Sequence, residues 1–316
     1  DGFGVFTDVS RSMPAPKGRG GMSLAVGDVN GDGQLDVYSA NYRVTTFRDM
    51  PDTRFRLRMV NGQAKVMMVN GRPTTDPDLV GRYTADSSGQ IFEHGQVDDL
   101  YFNIGDFSFR RVPFTGGLFL DESGKPLSSD LFDWGLSVMF RDINQDGLAD
   151  IYVCNDFAEP DRIWLNQGQG FRLMPKLSLR HIARFSMGID FADFNRDGLD
   201  DFFVVDMLSR QHARRQMQIS HAKPEPTAPG EIDNRPQYVR NAFMLNRGTG
   251  TYSDRANRAG VSATEWSWTP VFMDVDLDGF EDLLISNGFD RDANKTDIGR
   301  ELERIKASSK LSTFAR

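Results

Sequence analysis

Four stretches of this sequence place side-chain oxygens at every second position around a glycine. They are GDVNGDGQLD (Gly27–Asp36), DINQDGLAD (Asp142–Asp150), DFNRDGLDD (Asp193–Asp201) and DVDLDGFED (Asp274–Asp282). Each reads D-x-(D/N)-x-D-G-x-x-D, which puts candidate metal ligands at positions 1, 3, 5 and 9. In the first loop these are Asp28, Asn30, Asp32 and Asp36, and in the second Asp142, Asn144, Asp146 and Asp150. The third offers Asp193, Asn195, Asp197 and Asp201, and the fourth Asp274, Asp276, Asp278 and Asp282. A backbone carbonyl is expected at position 7, from Gln34, Leu148, Leu199 and Phe280. Hard oxygen donors of this kind suit Ca²⁺ better than Zn²⁺ or Fe²⁺, and glycine at position 6 permits the sharp turn that gathers them. Asp, Asn and Gly also make good turns with no metal at all. Four copies in one register favour the ion over the bare turn. The expectation is up to four structural Ca²⁺, each inside a loop that ties two strands. Four such ions would cancel the formal charge of −8.

The elements around the loops must then be strands. An EF-hand needs a bidentate Glu at position 12 and a helix leading away. Position 12 here is Ser39, Val153, Val204 or Ile285, inside runs such as DIYVCN and DFFVVD that are rich in β-branched and aromatic residues. A second marker travels with the loop: LYFNIGDFSF, IWLNQGQGF and FMLNRGTGTY each read as a strand, a tight turn after Asn, and a returning strand. Asp142 to Asn166 spans 24 residues and Asn166 to Asp193 spans 27, so the unit is about 52 residues long. Periods of that size mean propellers or solenoids. Longer intervals expose inserts. Residues 43–97 turn at Asn61-Gly62 and Asn70-Gly71 and read as a projecting β-hairpin. Residues 209–238 begin basic and helix-like and become proline-rich, and a smaller excess lies within Thr115–Asp130.

The strands entering the loops alternate bulky and small residues. Met22, Leu24 and Val26, or Trp134, Leu136, Val138 and Phe140, face Gly21, Ser23 and Ala25, or Gly135 and Ser137. A period of two with one bulky and one small face marks a strand packed between layers. Trp266 and Trp268 share the bulky column, so they read as core ahead of a sugar platform. Cys154 reads as a small strand residue, and Asn41, Asn155, Asp206 and Asn287 as turn-formers closing the exit strands.

The remaining composition is mostly exclusive. No apolar run approaches the ~20 residues of a membrane-spanning helix. One cysteine rules out an internal disulfide and the usual cysteine-based zinc site. An acidic balance argues against a nucleic-acid footprint. About four repeats fit once the inserts are removed, so part of a longer or interrupted ring is expected, with further blades or domains outside this chain.

GDVNGDGQLD, RDINQDGLAD, ADFNRDGLDD and MDVDLDGFED resemble the calcium loops of FG-GAP/VCBS repeats, the units of integrin-α-type β-propellers. Together with WLNQG and MLNRGTGTYSD, and with VNGRPTTDPDLVGRY and VVDMLSRQHARR, they are similar to a bacterial branch of cartilage acidic protein 1-like proteins. That resemblance implies an extracytoplasmic all-β propeller of four-stranded blades: secreted, periplasmic or on the cell surface. The blades are expected over 1–290, with a short helical tail over 291–316 beginning near Thr296.

Three functions are compatible with these residues. A binding or adhesion module for glycan or protein leads, because the scaffold is rigid and repeated and carries surface inserts. A propeller-based polysaccharide lyase or hydrolase is the alternative. HExxH, GxSxG, Walker and GxGxxG motifs are absent, but His94, His181, His212 and His221, with Arg184 and Arg214, could assemble from separate blades. A structural scaffold within a larger assembly is the third.

Overall fold

The structure, a computed structural model, describes residues 4, 8, 10–47, 49–157, 159–219, 235–288, 301 and 304. These form two compact units, Asp1–Pro175 and Lys176–Arg316. In both, strands alternate with glycine-bearing acidic turns. The fold is all-β, built of β-propeller blades, and its described residues include the short α-helix His212–Ile219.

In the first unit the chain enters along β1 (Gly21–Gly27), crosses the first acidic loop and returns along β2 (Asp36–Asn41). The insert follows as β3 (Phe55–Val60), β4 (Gln63–Val69), β5 (Arg72–Pro73), β6 (Tyr83–Ala85) and β7 (Ile91–Glu93). The blade then resumes as β8 (Asp99–Asn103) and β9 (Phe109–Val112), in sheet order β1-β2-β8-β9. The insert is more than a hairpin. It makes a three-stranded sheet, β3-β4-β5, and a pair, β6-β7, over a core of its own from Val66, Val69, Leu79 and Tyr83. Its two Asn-Gly turns hold Asn61 and Asn70 at φ of 52° and 49°, the left-handed region that asparagine tolerates.

The second blade comprises β11 (Gly135–Arg141), β12 (Asp150–Asn155), β13 (Arg162–Asn166) and β14 (Phe171–Leu173). The short insert before it supplies β10 (Phe119–Leu120), which pairs in parallel with β14 and makes a fifth strand. The two blades meet where residues are small. A Cβ on Gly27 would lie 3.0 Å from the Phe140 ring, and one on Gly135 would lie 3.2 Å from the Ala40 Cβ. Between them Tyr38, Leu100, Val138, Ile151, Val153, Trp164 and Phe171 form one apolar core.

The second unit begins with β15 (Ile182–Ala183). Its first blade is assembled from β16 (Gly188–Ala192) and β17 (Asp201–Val205), with β18 (Met207–Leu208), α1 (His212–Ile219) and β19 (Gln237–Tyr238) following, then β20 (Ala242–Asn246) and β21 (Tyr252–Asp254). The sheet order is β16-β17-β20-β21. The last strands, β22 (Glu265–Met273) and β23 (Asp282–Asn287), pair with β18 in a three-stranded sheet. The small-against-bulky rule recurs here. A Cβ on Gly188 would lie 2.6 Å from the Trp268 carbonyl oxygen, and Asp190 Oδ2 accepts the Phe272 N–H at 2.7 Å. The tail expected from Thr296 lies outside the described residues apart from Glu301 and Arg304, as does the proline-rich half of the second insert.

Two expectations need correcting. Met22, Leu24 and Val26 are 54–65% exposed, because no sheet of the described residues lies against that face of β1. Trp268 is likewise 40% exposed, so the Trp266–Trp268 column is only partly core. The residues closing the exit strands do more than form turns. Asn41, Asn155 and Asp206 are fully buried cross-links; Asn41 Nδ2, for example, donates to the Val97 carbonyl and to Asp99 Oδ2.

Candidate metal centre

All four acidic loops share one hydrogen-bond frame. The position-1 carboxylate accepts the N–H groups of positions 5 and 6: Asp28 from Asp32 and Gly33, Asp142 from Asp146 and Gly147, Asp193 from Asp197 and Gly198, Asp274 from Asp278 and Gly279. The position-5 carboxylate accepts the N–H of position 7, from Gln34, Leu148, Leu199 and Phe280. Position 6 is glycine at φ of 83–86° in every copy. Position 4 is also left-handed. It is Gly31 in the first loop, but Gln145, Arg196 and Leu277 hold φ of 61°, 59° and 62° in the others. For a residue such as leucine that backbone is costly, and it persists only where the surroundings over-determine it.

Position 9 opens the exit strand and is the best shielded of the set in the first three loops, whereas Asp282 in the fourth is exposed. Asp36, Asp150 and Asp201 are fully buried. One oxygen takes the N–H of position 2, as in Asp36 Oδ2 from Val29 at 3.1 Å and Asp150 Oδ2 from Ile143 at 2.9 Å. The other takes the N–H of the marker asparagine on the next strand: Asn103 at 2.8 Å, Asn166 at 2.7 Å and Asn246 at 2.8 Å. That link is not legible from the sequence, where the marker reads as a strand, a tight turn and a returning strand. Its side-chain oxygen does make the turn, accepting the N–H of Gly105, Gly168 or Gly248. In the second blade Asn166 Nδ2 also reaches the Val29 carbonyl beside the first loop at 2.7 Å.

The electrostatics of the loops are unbalanced. Burial, added to repulsion from Asp32 and Asp28, raises the pKa of Asp36. Burial pushes Asp150 up to about 7 and Asp201 up to about 6, with the loops' other aspartates adding repulsion and the marker N–H groups opposing. In the third loop the Phe194 N–H also lowers the Asp201 pKa.

In the fourth loop Asp274, Asp276 and Asp282 each bring one carboxylate oxygen within 4.8 Å of the other two. Ca²⁺–oxygen distances of 2.3–2.6 Å allow two ligands of one ion to be no more than about 5.2 Å apart, so positions 1, 3 and 9 fit a single cation. Asp278, at position 5, is not in that trio. The first three loops carry Asn30, Asn144 and Asn195 at position 3, so their matching trio has two carboxylates and an amide oxygen. Asn30, Asn144 and Asn195 each turn their Nδ2 to the position-5 carboxylate at 3.0 Å.

Each of His94 and His181 has local partners within its own unit. His94 Nδ1 lies 2.9 Å from Glu159 Oε1 and its Nε2 lies 2.7 Å from Thr84 Oγ1, fastening the insert to the loop after β12. His181 sits at 3.1 Å from Asp254 Oδ2, beside Arg240. Burial works against the charge on Asp254, but hydrogen bonds from His181, the Ala256 N–H and Arg240 outweigh it and hold its carboxyl well below the usual range. His212 opens α1, where Arg214 lies 3.8 Å from Glu265. Arg184 stacks on Phe185. His221 lies outside the described residues. Cys154 is buried in β12, where burial pushes its thiol up, as a structural residue would show.

Comparison with protein families matches residues 20–48 to the FG-GAP repeat and residues 142–204 to an FG-GAP-like repeat. The first match spans the first loop and the second spans the second and third. Together they support an FG-GAP repeat protein, a class whose repeats are typical of extracellular proteins. No curated protein matches the chain. No helix among the described residues is long and apolar enough to cross a membrane.

Proposed function

We propose that this chain is a calcium-stabilised, extracytoplasmic segment of a β-propeller that acts as a binding module for a glycan or protein. The carrying observation is the trio Asp274, Asp276 and Asp282, with one oxygen of each inside the span of a single Ca²⁺ shell. The shared frame extends that site to Asp28/Asn30/Asp36, Asp142/Asn144/Asp150 and Asp193/Asn195/Asp201, with Asp32, Asp146, Asp197 and Asp278 and the position-7 carbonyls completing each shell. Bound Ca²⁺ supplies positive charge that the loops' own N–H groups only partly provide. Its work is structural, since each loop joins the first two strands of a blade. The partner-binding surface belongs to the inserts, where the chain departs from its repeat. The sequence also resembles the bacterial cartilage acidic protein 1-like branch of such propellers.

Calorimetric titration of chelator-treated protein with Ca²⁺, followed by melting curves with and without excess chelator, tests the metal reading. Binding of more than one ion with a clear rise in Tm is expected. No heat of binding together with an unchanged Tm would overturn it. A glycan array probed with and without Ca²⁺ tests the module reading.

A further inference from the structure

The β3–β4 hairpin of the first insert carries a row of cations that nothing in the described structure neutralises. Successive side chains of a strand point to opposite faces. Val66 and Ala64 on β4 are buried, with Val66 in the insert's core, while Leu57 and Met59, paired with them on β3, share that face but remain exposed. Arg56, Arg58 and Lys65 turn the other way and are exposed. Arg58 lies directly across from Lys65 in the pairing. Like charges opposed on one face destabilise a strand pair. Arg54, exposed just before β3, extends the same stretch. Among the described residues none of these four has a carboxylate within ion-pair distance, whereas neighbouring Arg72 is held by Asp76 and Asp78 and Arg82 by Glu93. The chain as a whole is acidic, with 45 Asp and Glu against 37 Lys and Arg, so an unneutralised basic face is not a by-product of composition.

The geometry limits the ligand. Arg56 and Arg58 stand about 7 Å apart along the strand, on an open ribbon and not in a pocket, so the partner is an extended chain with repeated anionic groups. Arginine forks pair bidentately with carboxylate, sulfate or phosphate. No aromatic side chain is interleaved with the cations, although stacking on aromatics is how single-stranded nucleic acid is held. Nor does the face carry the Trp or Tyr that anchors a protein at a lipid headgroup layer. We propose that the β3–β4 hairpin docks an acidic polysaccharide, its sulfate or carboxylate groups paired with Arg56, Arg58 and Lys65. The proposal rests on the binding-module reading and names its ligand class.

The test uses the whole chain with saturating Ca²⁺. Binding is measured to immobilised heparin and to polygalacturonate, with dextran as the neutral control and duplex DNA and phosphatidylserine vesicles as rivals. Binding to the acidic polysaccharides that weakens steeply with added salt is expected. The triple variant R56Q/R58Q/K65Q should weaken it about tenfold, the order for three exposed charge pairs, while its Tm holds or rises because the Arg58–Lys65 repulsion is gone. Unchanged heparin binding by that variant would sink the hairpin and leave the module reading intact. Tighter binding of DNA or vesicles than of either polysaccharide would overturn the ligand class. Binding of neutral glycans alone on the array would do the same.

Discussion

Asp98 offers the sharpest test of how the first blade is held together. It is fully enclosed, accepting the Asn41 N–H on Oδ1 at 2.7 Å and the Tyr38 hydroxyl on Oδ2 at 2.9 Å, with Asp133 and Asp99 nearby. Burial, helped by those two neighbours, pushes its pKa from 3.8 up to about 8. The folded chain therefore keeps a proton that the unfolded chain releases near pH 4. Its contribution is complete below the unfolded value and is lost as pH climbs through the folded one, so stability should fall across pH 4–8. One pKa unit corresponds to about 1.4 kcal/mol, which makes the full cost of ionising Asp98 in place on the order of 5 kcal/mol as an upper bound.

Asp98→Asn removes the proton and keeps the acceptor. The third blade already uses an asparagine in this role: Asn241 Oδ1 accepts the Asp206 N–H at 2.7 Å. Urea unfolding at pH 5, 7 and 9, with Ca²⁺ held constant, would compare variant and parent. The two should lie within about 1 kcal/mol at pH 5, the worth of one altered hydrogen bond. The variant should gain on the parent by at least about 2 kcal/mol between pH 5 and pH 9, roughly half the bound above. All other titrating groups are common to both proteins and cancel in the difference. Parallel pH profiles would refute the buried, protonated carboxyl.

Further expectations follow from the packing. Trp164, fully buried among Phe114 and Phe119, should cost about 3–5 kcal/mol on Trp164→Ala, read as a lower urea midpoint. Arg162→Met strands the half of an ion pair that Asp133 supplies at 2.7 and 2.9 Å, and a loss of about 2–4 kcal/mol is expected, discounted for the partial exposure of Arg162. Gly188→Val drives a side chain into the Trp268 carbonyl and should lower Tm markedly; an unchanged melting curve would show that β16 and β22 are not packed as described. Tyr152→Phe deletes the buried bond to Asp161 Oδ2 at 2.9 Å and should cost about 1 kcal/mol in the same assay.

What was legible in the sequence was whatever the chain writes locally. The acidic loops declared themselves because their donors and their glycine fall within nine residues, and the fold followed from the spacing of their copies. The pairing of Asp150 with the Asn166 N–H was not legible, since it joins residues 16 apart across a strand pair and no spacing rule marks it. Left-handed Gln145, Arg196 and Leu277 were equally silent, because a loop closed by its own side-chain hydrogen bonds can impose a conformation that no residue type announces. Alternation in GMSLAVG predicted two packed faces, yet Leu24 is 65% exposed: a period of two reports that a residue can be buried, and not that a second layer exists to bury it.

The same limit bears on where the proposed binding surface lies. The first three acidic loops are committed twice over, by their own N–H groups and by the marker strand that docks on position 9. A partner competing for those oxygens would unfasten the blade it binds. Recognition is compatible with stability only on segments whose side chains the repeat does not use. The first insert meets that condition. Val66, Val69, Leu79 and Tyr83 give it a core of its own, and Arg43 secures its return by donating to the His94 and Gly95 carbonyls. The outer face of β3 and β4 is thereby left to be selected for something other than folding. On that face, in an acidic protein, stand Arg56, Arg58 and Lys65.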